Sequence, residues 1–263
     1  MRSISVSVAS LSVLLAASLL ALATPGAPRP ATVELSVAAA ADLSSALKQL
    51  AASYEQKTGV RLNLSFGSSG MLTQELQNGA PFDVFLSADM DYPRQLVAAG
   101  LADGNTLTQY ARGKLVVWTP SGSPLDLDRL GMNVLLDPSV KKIAIANPQH
   151  APYGRAAMAA LQHSGLYDRV KDRLVMGENV AQAAQFVESG NAQVGFVALA
   201  HARALGMSAK GKYWEVPAED YLPLEQGAVI LTRSQHKREA ADFLGYLGST
   251  EASELLRKYG FAK

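Results

Sequence analysis

The sequence predicts an α/β protein with two lobes, each built on a sheet rich in parallel strands, that are joined by a double hinge. From Val33 onward, short apolar runs alternate with amphipathic segments that end at glycine. This order favours parallel strands joined by right-handed helical crossovers. The alternation occurs in two similar blocks, and two apolar stretches connect them. The 263 residues are sufficient for two lobes of roughly 100 to 120 residues, each with its own core.

The first block contains three strand–helix units. In its first helix, apolar residues from Leu43 to Tyr54 recur at steps of three and four, which places them on one helical face. The second strand alternates apolar and polar residues, as a strand with one buried face does. The predicted strands are Val33–Ala39, Val60–Phe66 and Asp83–Ala88, and the helices that follow them end at Thr58–Gly59, Gly79 and Gly100.

The second block repeats this organisation after the apolar segment Lys114–Pro120. We predict that one lobe comprises residues 31–114 and 229–263, and that the other comprises residues 115–228. Two amphipathic helices finish the chain, at Lys237–Leu247 and Thr250–Tyr259. The other predicted strands are Lys141–Pro148, Arg173–Gly177, Ala192–Ala198 and Gln226–Thr232, and the other helices are Tyr153–Gly165 and Glu178–Gly190.

Residues 1–30 are predicted to be a secretory signal peptide. Arg2 precedes an apolar run from Ile4 to Ala23, and small residues follow, which is the composition of an export signal. Cleavage is expected between residues 23 and 31, where Ala21 and Ala23 form an A-x-A site. A membrane-spanning helix is the less favoured alternative, because three prolines follow at once and no Lys or Arg cluster marks a stop-transfer point. Export without disulfides suits a bacterial periplasm.

The composition excludes several kinds of site. The chain has no cysteine, which excludes disulfides, thiolate metal sites and cysteine nucleophiles. Its 24 basic and 23 acidic residues form no block of like charge, so we expect no nucleic-acid partner. The four histidines show no metal-ligand spacing, and neither a nucleotide-binding motif nor G-x-S-x-G is present. We therefore predict no free metal cation, no cofactor and no enzymatic activity.

Three strand–helix junctions are candidates for ligand binding: Ala38–Ser45 (AAAADLSS), Phe66–Met71 (FGSSGM) and Asn147–Arg155 (NPQHAPYGR). In α/β sheets, ligands collect at the carboxyl ends of strands, where helix N-termini present backbone N–H groups. The last two junctions add neutral hydroxyls, so together the three predict an uncharged polar nest for a small oxyanion. Taken alone, each junction could instead be a helix cap formed by Ser69 or Asp42.

Six segments carry a family resemblance that spans nearly the whole chain after Val33. They are VAAAADL (37–43), FGSSGMLTQEL (66–76), NGAPFDVFLSAD (78–89), ANPQHAPYGRAA (146–157), GENVAQA (177–183) and RKYGF (257–261). In this order they resemble the periplasmic molybdate-binding protein family of ABC-type molybdate importers. The resemblance implies the bilobal type II periplasmic-binding-protein fold, closure on the ligand, and delivery to an inner-membrane permease with its ATPase. It also implies that molybdate or tungstate is held by hydroxyls and backbone N–H groups.

The resemblance further implies five candidate ligand-binding residues. Ser69 matches the family's ligand hydroxyl, and Ser68 is its neighbour in the same loop. Tyr153 matches a residue that lies at the ligand, through its backbone or its phenol. Val180, which opens a helix, matches a backbone donor. Asp42 lies in the first loop, where the family often has a serine ligand.

Two positions depart from the family pattern. Some members have a tyrosine where this chain has Ala198, and we expect the phenol of Tyr153 to replace it. At Asp42, a carboxylate beside a dianion is repulsive in a poorly solvated cleft. We therefore expect Asp42 to cap the following helix by accepting the N–H groups of Ser44 or Ser45. Alternatively, Asp42 accepts hydrogen bonds from a cationic or hydroxyl-bearing solute, or coordinates the metal centre as carboxylates do in archaeal tungstate-binding relatives.

The sequence thus predicts a monomeric periplasmic receptor for molybdate, and also for tungstate, rather than an enzyme. Two alternatives remain. The first is a paralogous receptor for another small oxyanion or polar solute, motivated by Asp42 and Ala198. The second is a secreted two-lobed enzyme, whose catalytic groups would have to assemble without any recognisable motif.

Overall fold

Two five-stranded mixed sheets organise the chain in the computed structural model, which describes residues 33–204 and 209–263. The strands are β1 (Glu34–Ala40), β2 (Arg61–Gly67), β3 (Val84–Ser87), β4 (Thr108–Gly113), β5 (Leu115–Pro120), β6 (Ile143–Ala146), β7 (Leu174–Gly177), β8 (Val194–Ala198), β9 (Gly211–Glu215) and β10 (Leu224–Ile230). The first sheet has the order β2-β1-β3-β10-β4, and the second has the order β7-β6-β8-β5-β9. In each sheet three parallel strands are followed by one antiparallel strand and its antiparallel edge partner. The predicted two-lobed α/β fold is confirmed.

Helices connect the parallel strands as the alternating pattern predicts. They are α1 (Ser44–Thr58), α2 (Ser69–Gln77), α3 (Asp91–Ala98), α4 (Leu127–Leu130), α5 (Pro152–His163), α6 (Tyr167–Val170), α7 (Val180–Glu188), α8 (Leu199–Arg203), α9 (Lys237–Leu247) and α10 (Thr250–Lys258). A 3₁₀ turn over Ala41–Leu43 separates β1 from α1. In the part of the chain that is described, no helix has both the length and the apolar character needed to cross a bilayer. The predicted signal peptide, residues 1–30, lies outside the described residues.

The chain crosses between the sheets twice. The first crossing is a single residue, Lys114, between β4 and β5, and the second lies between β9 and β10. The ammonium of Lys114 is 2.9 Å from a carboxylate oxygen of Glu215, so an ion pair links the two crossings. The predicted boundary between residues 228 and 229 is wrong, because it falls inside β10. That whole strand pairs with β3 and β4 of the first sheet, so the crossing precedes Leu224.

The core confirms the helical periodicity seen in the sequence. Leu43, Leu47, Leu50 and Tyr54 are all buried, and the ring of Tyr54 meets that of Phe243 edge-on at 5.3 Å. One hydrophobic cluster contains residues of both sheets. The lobes are therefore packed against each other, and the loops at their facing strand ends are held close together.

Candidate ligand-binding site

A small cavity lies where the carboxyl ends of β1, β2 and β3 meet the first turns of α5 and α7. It is narrow: the empty space between protein atoms there, including the part open to solvent, is about 200 Å³. The structure brings all five predicted site residues together in its wall, which also contains Asn179. The complete lining is Ala40, Ala41, Asp42, Gly67, Ser68, Ser69, Ala88, Ala151, Pro152, Tyr153, Asn179 and Val180. Their role in binding stays a prediction.

The two serines of the β2–α2 loop have different tasks. Ser68 is the N-cap of α2, since its hydroxyl oxygen accepts the N–H of Met71. The same oxygen lies 2.7 Å from Nδ1 of His150. Ser69 is the first residue of α2, and its Oγ accepts the N–H of Ala88 at 2.9 Å. The interpretation of Ser69 as a cap is therefore wrong, because the helix begins one residue earlier than the sequence predicts.

Ser69 keeps a proton that can be donated to a ligand. Its side chain is 1% exposed, and its only hydrogen bond within the described residues uses the hydroxyl oxygen as acceptor. A buried hydroxyl normally uses both its donor and its acceptor capacity. The O–H of Ser69 is thus available at the cavity wall.

Two helix N-termini supply backbone donors to the cavity. Asn179 caps α7 by accepting the N–H groups of Ala181 and Gln182. Val180 follows it as the first helical residue, so its N–H has no acceptor within the helix. In α5 the first residue is Pro152, which has no N–H, and Tyr153 therefore carries the first amide of that helix. Both ends present the positive pole of a helix dipole.

Asp42 does not form the expected cap. It lies in the 3₁₀ turn, and α1 begins only at Ser44, without a side-chain cap. The N-cap position is occupied by Leu43, so Asp42 lies one residue too early to cap α1, and the capping prediction is wrong. The residue is 1% exposed, and neither carboxylate oxygen has a hydrogen-bond partner among the described residues. Burial raises its pKa to about 7, although the nearby phenol of Tyr153 and amide of Gln226 oppose that rise.

The phenol of Tyr153 points towards the hinge strands rather than towards solvent. A side chain at Gly113 would clash with its oxygen, so the glycine allows this approach. Gln226 of β10 is fully buried beside it, and its Oε1 accepts the hydroxyl of Tyr110 at 3.3 Å. Burial, and then the charge of Asp42, raise the pKa of Tyr153 well above its ordinary value. The phenol therefore stays protonated.

Gln226 was not predicted from the sequence. The only signal was a single amide at the start of an otherwise apolar strand. Ala198, the second departure from the family pattern, is buried in β8 and does not line the cavity.

Contacts between the lobes close one side of the cavity. The N–H of Gly70 donates to the carbonyl of His150 at 2.8 Å, and the hydroxyl of Tyr92 donates to the same oxygen at 3.3 Å. Beside them, Arg155 of α5 forms an ion pair with Asp89 and donates to the hydroxyl of Tyr92 at 3.1 Å. These contacts fix the β6–α5 loop against the first lobe.

No lysine or arginine belongs to the described lining of the cavity. Across residues 33–204 and 209–263, no group of three or more His, Asp or Glu side chains could hold a metal ion. The cavity wall thus offers neutral donors together with one buried acid, a set that fits a small oxygen-rich ligand better than a metal cation.

Residues 35–262 match the family model described as bacterial extracellular solute-binding protein. The chain belongs to this family. The molybdate-binding protein ModA of Azotobacter vinelandii is 40% identical to this solute-binding protein over 98% of each chain. ModA of Rhodobacter capsulatus is 38% identical, over 93% of this chain and 94% of its own. Both relatives are named as molybdate-binding proteins.

Solved structures of solute-binding proteins share the fold. The periplasmic molybdate-binding protein of Azotobacter vinelandii superposes with a TM-score of 0.82 at 36% identity, covering 87% of this chain and 99% of its own. The sulfate-binding protein SubI of Mycobacterium tuberculosis superposes with a TM-score of 0.74 at 17% identity, covering 87% and 86%. At that identity the likeness shows the fold alone, so the ligand has to be argued from the cavity.

Proposed function

We propose that this solute-binding protein is a periplasmic receptor that captures molybdate, and also tungstate, for an ABC importer. The observation that carries the proposal is the set of neutral donors around the cavity: the amides of Tyr153 and Val180 and the hydroxyl of Ser69. Oriented amides at helix N-termini stabilise an anion without a counter-ion. The names of the relatives from Azotobacter and Rhodobacter support the same ligand. Export by residues 1–30, action as a monomer and delivery to a permease with its ATPase belong to this proposal.

Selectivity for molybdate and tungstate is the first test. Sulfate has the same charge and shape but is smaller, so a closed cavity of fixed size holds fewer of its oxygens at hydrogen-bond distance. Protonated phosphate adds a donor to a site made of donors. We expect molybdate and tungstate to raise the melting temperature strongly, since saturation at 100 times Kd stabilises by about 2.7 kcal/mol. Sulfate and phosphate should produce little shift. Equal binding of sulfate in titration calorimetry would contradict the proposed selectivity.

Ser69→Ala tests the hydroxyl donor. Loss of one hydrogen bond to a charged group costs about 1.5–3 kcal/mol, so molybdate affinity should fall roughly 10- to 100-fold. The variant also leaves the buried N–H of Ala88 without its acceptor, so a moderate drop in melting temperature is expected as well. Ser121→Ala, an exposed position outside the cavity, is the matched control and should retain full affinity. Calorimetry that finds the Ser69 variant binding as tightly as the control would assign Ser69 a structural role only.

Asp42 motivates a second candidate function, a receptor for a hydroxyl-bearing solute. Its two carboxylate oxygens are unpartnered within the described chain and could accept hydrogen bonds from such a ligand. The same oxyanion panel separates the two functions, because this receptor would respond to none of the four anions.

A further inference from the structure

Asp42 is an acid placed inside an anion cavity without any group that neutralises it. It lines the cavity together with Ser69, Tyr153 and Val180. Neither of its oxygens has a hydrogen-bond partner in the described structure, and no ion pair to it exists there. A charged carboxylate in this position would bear a desolvation cost that the nearby phenol of Tyr153 and amide of Gln226 offset only in part. The geometry is therefore unfavourable for the ionised form even before a ligand enters.

The groups that face Asp42 from the surrounding elements are all uncharged. From α5, β4 and β10 they are the phenols of Tyr153 and Tyr110 and the amide of Gln226. From α8, His201 donates to the carbonyl of Ala41, next to Asp42. Burial lowers the pKa of His201 to about 4, so this imidazole is neutral at the pH of interest. No neighbouring cation compensates a charge on Asp42.

A dianion bound in the same cavity makes the ionised form of Asp42 still less favourable than the neutral form. Two like charges in a site of low polarity repel each other strongly, and a nearby negative charge raises the pKa of a carboxylic acid. In its neutral form the same side chain has an O–H group, which is a hydrogen-bond donor. A protonated Asp42 would thus match the other donors of the wall, whereas an ionised Asp42 would oppose the ligand.

We propose that Asp42 binds the oxyanion as a neutral carboxylic acid that donates its O–H to a ligand oxygen. This inference rests on the proposed function as an oxyanion receptor. Binding then consumes one proton: the ionised side chain, a proton from solution and the dianion combine into one closed complex. Asp42 becomes a residue that makes ligand capture depend on pH.

The direction of the pH dependence follows from linkage. Without ligand, the pKa of Asp42 is raised to about 7 in the closed structure, and a bound dianion raises it further. At lower pH the acid already carries its proton, so affinity is independent of pH. Above about pH 7 each binding event must take up a proton, and affinity falls by up to tenfold per pH unit. Molybdate itself stays fully deprotonated over this range.

Titration calorimetry with sodium molybdate on the full mature chain tests the inference. Titrations between pH 6.5 and 8.5, in buffers with different ionisation enthalpies, measure the number of protons taken up. We expect the wild type to approach one proton at pH 8 and to lose roughly 10- to 100-fold in affinity across the range. Asp42→Asn is isosteric and keeps an N–H donor without a titrating proton. This variant should bind with neither proton uptake nor pH dependence.

Asp91→Asn is the control, because that carboxylate lies at the start of α3 with its side chain 85% exposed. It should behave as the wild type does. Wild-type binding that is tight but flat with pH and without proton uptake would overturn this inference and leave the proposed function intact. Unchanged proton uptake in Asp42→Asn, or loss of binding by a folded Asp42→Asn protein, would also overturn it. Absence of molybdate binding at every pH would overturn the proposed function itself.

Discussion

Replacing Gly70 by alanine is expected to weaken molybdate binding by about 100-fold while the lobes stay folded. Gly70 lies in the first turn of α2, and its N–H donates to the carbonyl of His150 across the cleft. A methyl group there would lie 2.7 Å from that carbonyl oxygen and 2.8 Å from Cβ of His150. Overpacking of this kind costs about 1–3 kcal/mol. A backbone carbonyl cannot rotate away, so the upper end applies, which corresponds to roughly 100-fold in Kd.

The clash with His150 acts only when the lobes are together, whereas the hydroxyl oxygen of Tyr92, 2.5 Å from the added methyl group, belongs to the same lobe and ends a side chain that can move aside. Alanine is the better helix former, so the ligand-free melting temperature should not fall. Gly245→Ala is the matched control, because Gly245 is also helical and has open space around it. Calorimetry should find wild-type affinity for this control. Tight molybdate binding by Gly70→Ala would mean that the ligand is held without the contact between Gly70 and His150.

His201 is expected to make the ligand-free protein sensitive to acid. Its Nε2 lies 3.1 Å from the carbonyl oxygen of Ala41, so this nitrogen carries the proton of the neutral ring. Burial lowers the pKa to about 4, and the bond to Ala41 only partly opposes this. An unfolded histidine titrates near pH 6.5. Between these two pH values the unfolded chain binds a proton that the native protein does not. Lowering the pH through this range therefore reduces the free energy of unfolding by up to about 3 kcal/mol.

His201→Gln isolates this contribution. The glutamine amide can donate to the same carbonyl but does not titrate, so urea unfolding at pH 7, 5.5 and 4 should show a smaller acid loss than in the wild type. His236→Gln, at a partly exposed position before α9, serves for comparison and should retain the wild-type acid loss. Parallel pH profiles for wild type and His201→Gln would show that protonation of His201 does not limit stability.

The fold could be predicted from the sequence wherever strands are buried on both faces. Such strands are continuous apolar runs, and in the helices between them apolar residues recur every three or four positions. The edge strands β4 (TQYARG) and β9 (GKYWE) were missed because their outer positions are polar and partly exposed. The second crossing was misplaced for a related reason. The first residues of β10, LEQ, include two polar side chains, and only the pairing with β4 shows that they belong to the first sheet.

The site was predictable where a loop and its helix are adjacent in the chain. Ser69, Tyr153 and Val180 each lie within two residues of a helix start, and helix starts gather at the carboxyl ends of parallel strands. The orientation of Asp42 was not predictable, because it depends on a 3₁₀ turn of three residues. Gln226 and the contact between Gly70 and His150 depend on how distant segments meet, which local sequence patterns do not contain.

The donors of the cavity differ in how they respond to mutation. The amides of Tyr153 and Val180 belong to the main chain, and a substitution replaces the side chain while the N–H stays in place. Point mutations in these first helical turns therefore leave much of the anion-binding geometry unchanged. Chemical variation at the ligand is confined to a few side chains, chiefly Asp42 and Ser69. Laboratory evolution towards a different anion should therefore accumulate substitutions at these positions. The main-chain donors around them should stay the same, because amino-acid substitutions do not remove a backbone N–H unless they introduce proline.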